Sequence, residues 1–395
     1  MDDFIEREIR SRAQAAQHRL QNTIGYGKGW ELEKLLSTGS SGMTFLIKDS
    51  DPLHRRRDHT REPWVNKQRR VVLKWALFPE AGIDDFITEM KSLAFLRGKA
   101  HHVQMIAATA DVATYRPPLG LSLGSVLRVF TSPWKNPPIN IFKIIRRHRG
   151  PAILLEYLED GSLQQLSHRA KRTNVRFPNR LLWSFYFCMV RGCVGMNFPQ
   201  EIPESGAPLV LETITRLEPN GFSHNDIALR NIMVDRYDLQ VPEHIWFPRL
   251  KFIDYGSSTI SPTPYPSAAR NNLLQVAAVM IHLINPDARP FSDSNAVVFN
   301  GIETYATDIL PQIGGDDMFP LLDPELRQLL VEALAVNMQL RPSIHDMFVR
   351  VQAGREKPSS AYPNQPIGGN PPQSNEENMY IQQLLRFLID DVHGQ

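Results

Sequence analysis

One stretch of sequence decides the fold, and it reads FSHNDIALRNIMV over residues 222–234. Its polar first part carries Asp226 and Asn231, five positions apart, and its end is the apolar run Ile232-Met233-Val234. This pattern predicts a loop that leads into a short buried strand. The loop brings an acidic and an amide side chain close to the start of that strand.

A second acidic residue stands at the end of the next apolar run. Residues 250–253 read LKFI and predict a strand, after which Asp254 is followed by Tyr255 and Gly256. The glycine permits a sharp turn. The strand therefore delivers a single carboxylate, 23 positions after Asn231.

Nearer the start of the chain, a lysine lies in an apolar strand. Residues 70–77 predict this strand, in which Lys74 follows two valines and a leucine. A buried ammonium group without an anionic partner is costly, so Lys74 needs a carboxylate. Residues 84–97 show a helical pattern whose apolar face leaves Glu89 pointing elsewhere. The sequence offers Glu89 as the partner of Lys74.

Small residues separate the first two predicted strands, at 30–36 and 44–48. Small side chains let backbone N–H groups approach phosphate oxygens. The residues in question are Ser37, Gly39, Ser40, Ser41 and Gly42.

A fifth segment, LLEYLEDGSL over residues 154–163, joins a strand to a helix. The strand is predicted at 152–157, and the Gly161-Ser162 pair is typical of a helix cap. This places the backbone of Glu156 and Leu158 at the junction.

In this order the five segments resemble the motifs of the eukaryotic-type protein kinase domain. The similarity covers about residues 30–350 and extends to Arg341-Pro342-Ser343, which resembles the end of the closing helices. It implies an α+β, bilobal protein-kinase-like fold. Such a fold has a small β-rich N-terminal lobe with one key helix and a larger, mainly helical C-terminal lobe.

The resemblance also implies the cofactors, ATP and Mg²⁺, and a role for each residue. Lys74 would grip the α- and β-phosphates and Glu89 would position it. Asp226 would orient the attacking hydroxyl, and Arg230 would reach the transferred phosphate. The metal ligands would be Asn231 and Asp254. The cofactor-binding residues would be Ser37, Gly39, Ser40, Ser41, Gly42, Lys74 and, through their backbone, Glu156 and Leu158.

The chain departs from the kinase pattern between Asp254 and Asn272, where only 18 positions stand. No A-P-E segment can be placed there, which leaves the docking of a protein substrate open. Asn225 replaces the arginine that would read a phosphate on the activation loop. We therefore expect activity without phosphorylation of that loop.

Three functions remain open at this point. The first is a protein kinase-like enzyme that transfers the γ-phosphate of ATP to a protein hydroxyl. The second is a small-molecule kinase, because HND and IDYG also resemble choline and aminoglycoside kinases, which lack a long activation segment. The third is a pseudokinase scaffold that keeps the ATP site without turnover.

Composition bounds the rest. The chain has 395 residues, a formal net charge of +2 and two cysteines. We expect an intracellular protein, cytoplasmic or nuclear, with no nucleic-acid or membrane partner and an unidentified protein substrate.

The predicted divisions are a helical extension at 1–28, an N-terminal lobe with basic insertions at 29–158, a C-terminal lobe at 159–353, a flexible linker at 354–375, and an amphipathic helix at 376–395. That last helix either folds back on the C-terminal lobe or binds a protein partner.

Overall fold

The structure of the protein is a computed structural model. It describes residues 29–38, 42–49, 70–76, 83–109, 151–198, 208–215, 218–264, 266–289, 296–311, 315–362, 366–367 and 373–390, with scattered helical positions between 11 and 22. The insertions predicted around 49–68 and 115–150 lie almost entirely outside these residues. The described part is a mixed α+β fold with a small antiparallel sheet and several helices.

The sheet has five strands in the order β1-β2-β3-β5-β4. Their bounds are Trp30–Thr38, Gly42–Asp49, Arg70–Ala76, Ala152–Glu156 for β5 and Met105–Thr109 for β4. Phe45 of β2 pairs with Leu73 of β3, which in turn pairs with Leu154 of β5. These side chains are buried together with Leu20 of the N-terminal segment. Because alternate residues of a strand share one face, this row forms the core of the sheet.

One helix, α1 (Ile83–Phe95), follows the third strand. Asp84 and Asp85 lie in its first turn, where they complement the positive end of the helix dipole. Phe86 and Leu93 are buried in the larger apolar cluster. The segment after the helix reaches strand β8 (Leu250–Phe252), because Phe252 N–H donates to His101 O at 2.9 Å.

Among the described residues, five longer helices follow strand β5 before the C-terminal helix. Their bounds are Leu163–Arg172 for α2, Asn179–Asn197 for α3, Pro266–Ile284 for α4, Pro324–Ala333 for α5 and Ile344–Arg355 for α6. Helix α2 begins with a capping box between Ser162 and Gln165, which satisfies two backbone N–H groups at its start. Helix α3 is buried along nearly its whole length, as its apolar sequence predicts.

Short two-stranded sheets complete the fold. Strand β6 (Asn220–Ser223) pairs with β9 (Thr259–Pro264), and β7 (Ile232–Val234) pairs with β8. The other pairs are β10 (Val297–Phe299) with β11 (Ile302–Thr304), and β12 (Pro366–Ile367) with β13 (Gln373–Ser374). Strands β7 and β8 agree with the sequence prediction to within one residue. Strands β6 and β9 were not predicted, because neither run is strongly apolar.

The predicted flexible linker, 354–375, is ordered by specific contacts in its first part. Helix α6 continues through Gly354, which lies so close to Trp183 that a Cβ atom there would be 2.4 Å from the indole ring. Lys357 then donates to Asp323 at 2.8 Å, and the Tyr362 hydroxyl donates to the same carboxylate at 3.2 Å. Residues 354–362 are therefore anchored to the helices. Their Gly, Pro and Ser content concealed these specific contacts.

The C-terminal helix, α7 (Asn378–Asp390), folds back on the protein. Ile381, Leu385 and Leu388 are buried in the larger apolar cluster, on the stripe that the sequence predicts. Just before it, Glu376 accepts hydrogen bonds from the backbone N–H groups of Asn179 and Arg180, at the start of α3. Among the described helices, none combines the length and apolarity needed to cross a bilayer.

Candidate functional site

Lys74 brings together groups from three separate elements. It lies in β3 opposite Thr44 of β2 and Ile153 of β5. Its Nζ is 2.7 Å from Glu89 Oε2 on α1 and 2.8 Å from Asp254 Oδ1, which follows β8. The sequence offered Glu89 as the partner of Lys74, and the structure places Asp254 at the same ammonium group.

The three charged groups differ in their exposure to solvent. The Glu89 side chain is 2% exposed, Lys74 is 15% exposed and Asp254 is 45% exposed. Burial lowers the pKa of Lys74, but Glu89 and Asp254 more than offset this and raise it above its ordinary value. Burial raises the pKa of Asp254, and the Lys74 ammonium outweighs that effect and lowers it. Lys74 and Asp254 are thus charged at neutral pH.

Asp254 has an uncommon backbone conformation. Its φ is +65°, in the left-handed region, and Asn225 has a φ of +64°. Asp and Asn tolerate this region better than other non-glycine residues, although it is still uncommon. Asn225 is held by its side chain, which donates to Ser257 O at 3.0 Å. Strain of this kind is concentrated at functional sites.

A second group of side chains forms around Asp226. Asn231 Nδ2 donates to Asp226 Oδ2 at 2.8 Å and to the Asp226 carbonyl at 2.9 Å. Arg230 Nη2 donates to Asp226 Oδ1 at 2.5 Å. The 3-10 turn Leu229–Asn231 presents both Arg230 and Asn231 to the carboxylate. Because the amide nitrogen of Asn231 faces Asp226, its oxygen remains the atom available to a cation.

Backbone contacts connect the Asp226 group to Asp254. Ile253 N–H donates to Asn231 O at 3.0 Å, and His224 Nε2–H donates to Ile253 O at 3.2 Å. Asp226 N–H donates to the other ring nitrogen of His224 at 3.3 Å. Burial lowers the pKa of His224, so the ring is neutral with its proton on Nε2. His224 therefore links the Asp226 loop to the end of β8.

Buried amide side chains support this loop from behind. Asn272 Oδ1 accepts from His224 N–H at 2.9 Å, and its Nδ2 donates to Phe222 O at 2.9 Å. Asn197 Nδ2 donates to Phe222 O at 3.0 Å, and Gln275 Oε1 accepts from Ile227 N–H at 2.7 Å. Sequence reasoning missed Asn197 and Gln275 as supports. Their only signal is that each is a polar residue in an otherwise apolar helical run.

The contacts of Tyr255 explain why a tyrosine follows Asp254. Its hydroxyl is 2.6 Å from His102 Nδ1, and its ring packs 4.7 Å from the ring of His224. The residue is fully buried. A phenylalanine at this position would leave the His102 nitrogen without that partner.

Glu156, one of the predicted cofactor-binding residues, forms a salt bridge with the buried Lys251. Glu156 Oε1 accepts from Lys251 Nζ at 2.8 Å and from Gln104 N–H at 2.8 Å. The Glu156 N–H donates to Gln104 O at 3.0 Å, so a ligand would have to use the carbonyl oxygen of Glu156. Leu158 follows and is buried.

The predicted phosphate loop is described only at its two ends. Ser37 is exposed in β1 and pairs with Thr44, while Gly42 begins β2. A Cβ atom on Gly42 would lie 2.5 Å from Trp75 O, so only glycine fits there. Gly39, Ser40 and Ser41 lie outside the described residues.

Comparison with known proteins assigns the chain to no family. No protein-family model matches the chain, and no curated protein matches it.

Proposed function

We propose that this protein is an ATP- and Mg²⁺-dependent phosphotransferase of protein-kinase type, which transfers the γ-phosphate of ATP to a protein hydroxyl. In this proposal the five-stranded sheet with α1 is the small lobe, the helices from α2 onward are the large lobe, and ATP lies between them. The observation that carries it is the meeting of Lys74 with both Glu89 and Asp254.

The donor atoms fit a magnesium ion. Mg²⁺ prefers carboxylate and amide oxygens, which Asp254 and Asn231 supply. The Asp254 carboxylate, whose pKa the Lys74 ammonium lowers, is 45% exposed and favours the arrival of a cation. When bound, the ion would neutralise the charge that develops on the β- and γ-phosphates.

The chain's own residues would do the rest by positioning. Lys74 would bind phosphate oxygens, and the buried Glu89 would keep its ammonium group in place. Asp226 would accept a hydrogen bond from the attacking hydroxyl, with its carboxylate held by Asn231. Arg230 would contact the transferred phosphate, since its side chain is 58% exposed and already lies beside Asp226. Fixed charges of this kind stabilise a transition state without reorganisation.

One observation favours a second candidate, a small-molecule kinase. Strand β9 ends at Pro264 and helix α4 begins at Pro266, so a single residue separates them. A protein kinase uses this part of the chain to dock its substrate. Because that platform is so short here, a small hydroxyl-bearing acceptor is the alternative to a protein.

A transfer assay with radiolabelled ATP tests the proposal and separates the two candidates. The purified chain would be offered basic and acidic peptides in one set of reactions, and choline, ethanolamine and aminoglycosides in another. Label on a peptide supports the first candidate, and label on a small acceptor supports the second. Failure to bind ATP with Mg²⁺ would contradict both.

A further inference from the structure

A second cluster of chemically active side chains lies inside the protein. His101 follows α1, Cys188 lies in α3, and His244 ends the 3-10 turn Pro242–His244. All three are buried, and one ligand atom from each lies within 4.8 Å of the other two. The two imidazole rings are tilted by 55° with their centroids 5.3 Å apart. Three distant segments of the chain thus present donor atoms to one point.

Several of these donor atoms have no hydrogen-bond partner among the residues that the structure describes. They are His101 Nε2 and both ring nitrogens of His244. Buried polar atoms nearly always have a partner, so unpaired ones in one place need an explanation. Imidazole nitrogens and a thiol together are the donors of a transition-metal site.

Glu212 supplies the support that such a site requires. Its Oε2 is 2.6 Å from His101 Nδ1, and its Oε1 accepts from His101 N–H at 2.7 Å. This fixes the ring and leaves Nε2 as the atom that can bind an ion. Ligating histidines characteristically have their other ring nitrogen bound to a carboxylate in this way.

The charges nearby are compatible with a divalent ion. The Arg191 guanidinium is paired with the Glu243 carboxylate, with Nε to Oε2 at 2.7 Å. The thiolate of Cys188 and the carboxylate of Glu212 would together balance two positive charges. Arg249, which also lies near His244, is paired with the Asp238 carboxylate at 2.6 Å.

We propose that His101, Cys188 and His244 bind a Zn²⁺ ion. The three donors leave one position of a tetrahedron for a water molecule. The ion would join the segment after α1, helix α3 and the turn before β8. His101 O already accepts from Phe252 N–H in β8, the strand that leads to Asp254. The ion would therefore stabilise the position of the strand that carries Asp254. The proposal does not depend on the proposed function.

Metal analysis of the purified full-length chain tests this proposal. The protein would be produced in Zn²⁺-supplemented medium, and its zinc content measured for the wild type, Cys188→Ser and Cys193→Ser. Cys193 is the matched control, because it is also a buried cysteine of α3 and its thiol lies outside the cluster. We expect one zinc per chain in the wild type and in Cys193→Ser, and its loss in Cys188→Ser. A wild type without zinc, or equal zinc in both variants, would overturn the proposal.

Two further measurements keep the test decisive if Cys188→Ser does not fold. X-ray absorption at the zinc edge of the wild type should show one sulfur and two imidazole nitrogens around the ion. Glu212→Gln should weaken zinc affinity by about 10- to 100-fold, because the support of His101 is reduced. A shell of oxygen atoms alone would be incompatible with these ligands.

Discussion

Lys74 Nζ lies 2.8 Å from Asp254 Oδ1, although 180 positions separate the two residues in the chain. The strand β3 supplies one and the end of β8 supplies the other. Glu89 on α1 approaches the same ammonium group from a third direction. A chance encounter of surface side chains would not bury Glu89 almost completely. The arrangement therefore fits a built site for an anionic ligand with its cation.

The first prediction concerns binding of the nucleotide and metal. Wild-type protein should be stabilised by ATP with Mg²⁺, by roughly 2.7 kcal/mol when the ligand is about 100 times its Kd. Asp254→Ala should lose the magnesium-dependent part, because it removes a proposed ligand of the ion. Thermal unfolding with ATP, with and without Mg²⁺, measures both effects. Asp287→Ala is the control, since that exposed carboxylate pairs with Lys171 on the surface. Equal stabilisation of both variants would contradict the assignment of Asp254.

The second prediction separates chemistry from binding. Asp226→Asn should lower the rate of phosphate transfer by roughly 10²- to 10⁴-fold, because the hydroxyl loses its oriented acceptor. Stabilisation by ATP with Mg²⁺ should be unchanged. Asp238→Asn is a matched control, because Asp238 also accepts from an arginine, Arg249, at 2.6 Å. If Asp226→Asn retained full transfer, another residue would have to serve as the base.

The sequence predicts the central elements of the fold because each has a strong local signal. Strands β7 and β8 are short apolar runs, and they appear within one position of the predicted limits. The Lys74–Glu89 pair follows from a general rule, since a buried ammonium group needs an anion. These features depend on neighbouring residues and on charge balance, which a single sequence contains.

The remaining features depend on contacts that no local pattern encodes. Strands β6 and β9 are held by pairing with each other, and their sequences are neither apolar nor regularly alternating. Residues 354–362 resemble a linker in composition, yet Asp323 fixes them through Lys357 and Tyr362. The cluster of His101, Cys188 and His244 spans three segments, so its members become neighbours only in the folded chain.

The third prediction concerns regulation of the short segment after Asp254. Combined alanine substitutions at Ser257, Thr259 and Ser261 should change phosphate transfer by less than about twofold, since Asn225 cannot read a phosphate as an arginine would. A large loss of transfer would show that phosphorylation of this segment matters. Radiolabelled transfer by the triple variant is the measurement.

Ser258 must be treated separately from these three residues. It is buried, its hydroxyl donates to Tyr255 O at 2.7 Å, and it lies 2.7 Å from the hydroxyl of Ser92. Ser258→Ala should therefore reduce stability by about 1 kcal/mol. The loss should be seen in unfolding, with or without ATP, which distinguishes a structural role from loss of a phosphorylation site.

The fourth prediction concerns the support behind the Asp226 loop. Asn272→Asp should destabilise the protein by roughly 2–4 kcal/mol. The reason is that Asn272 Nδ2 donates to Phe222 O, and a carboxylate would face that carbonyl with a second acceptor. Denaturant unfolding compares Asn272→Asp with the wild type and with Asn300→Asp, a control whose exposed side chain donates to Gln328. Equal stability of the two variants would mean that the amide at 272 is not required.

The fifth prediction is a pH dependence of stability at Asp323. Burial raises the pKa of this carboxyl, but hydrogen bonds from Lys357, Trp183 and Glu325 N–H outweigh burial and lower it. Because the pKa is lower in the folded state, the carboxylate contributes stability above its unfolded pKa, about 3.9 for aspartate. That contribution is lost as the pH falls from about 4 through the folded value.

Asp323→Asn should therefore cost roughly 2–4 kcal/mol at pH 7, where the charged hydrogen bonds are intact. The difference from the wild type should shrink as the pH falls below about 4. Denaturant unfolding at several pH values measures this difference, with Asp346→Asn as the control because its carboxylate is exposed and pairs with Arg350 only at 3.6 Å. The control should differ from the wild type by less than about 1 kcal/mol. A difference for Asp323→Asn that stays constant down to pH 2 would show that the carboxylate charge does not hold Lys357, Trp183 and Tyr362 together.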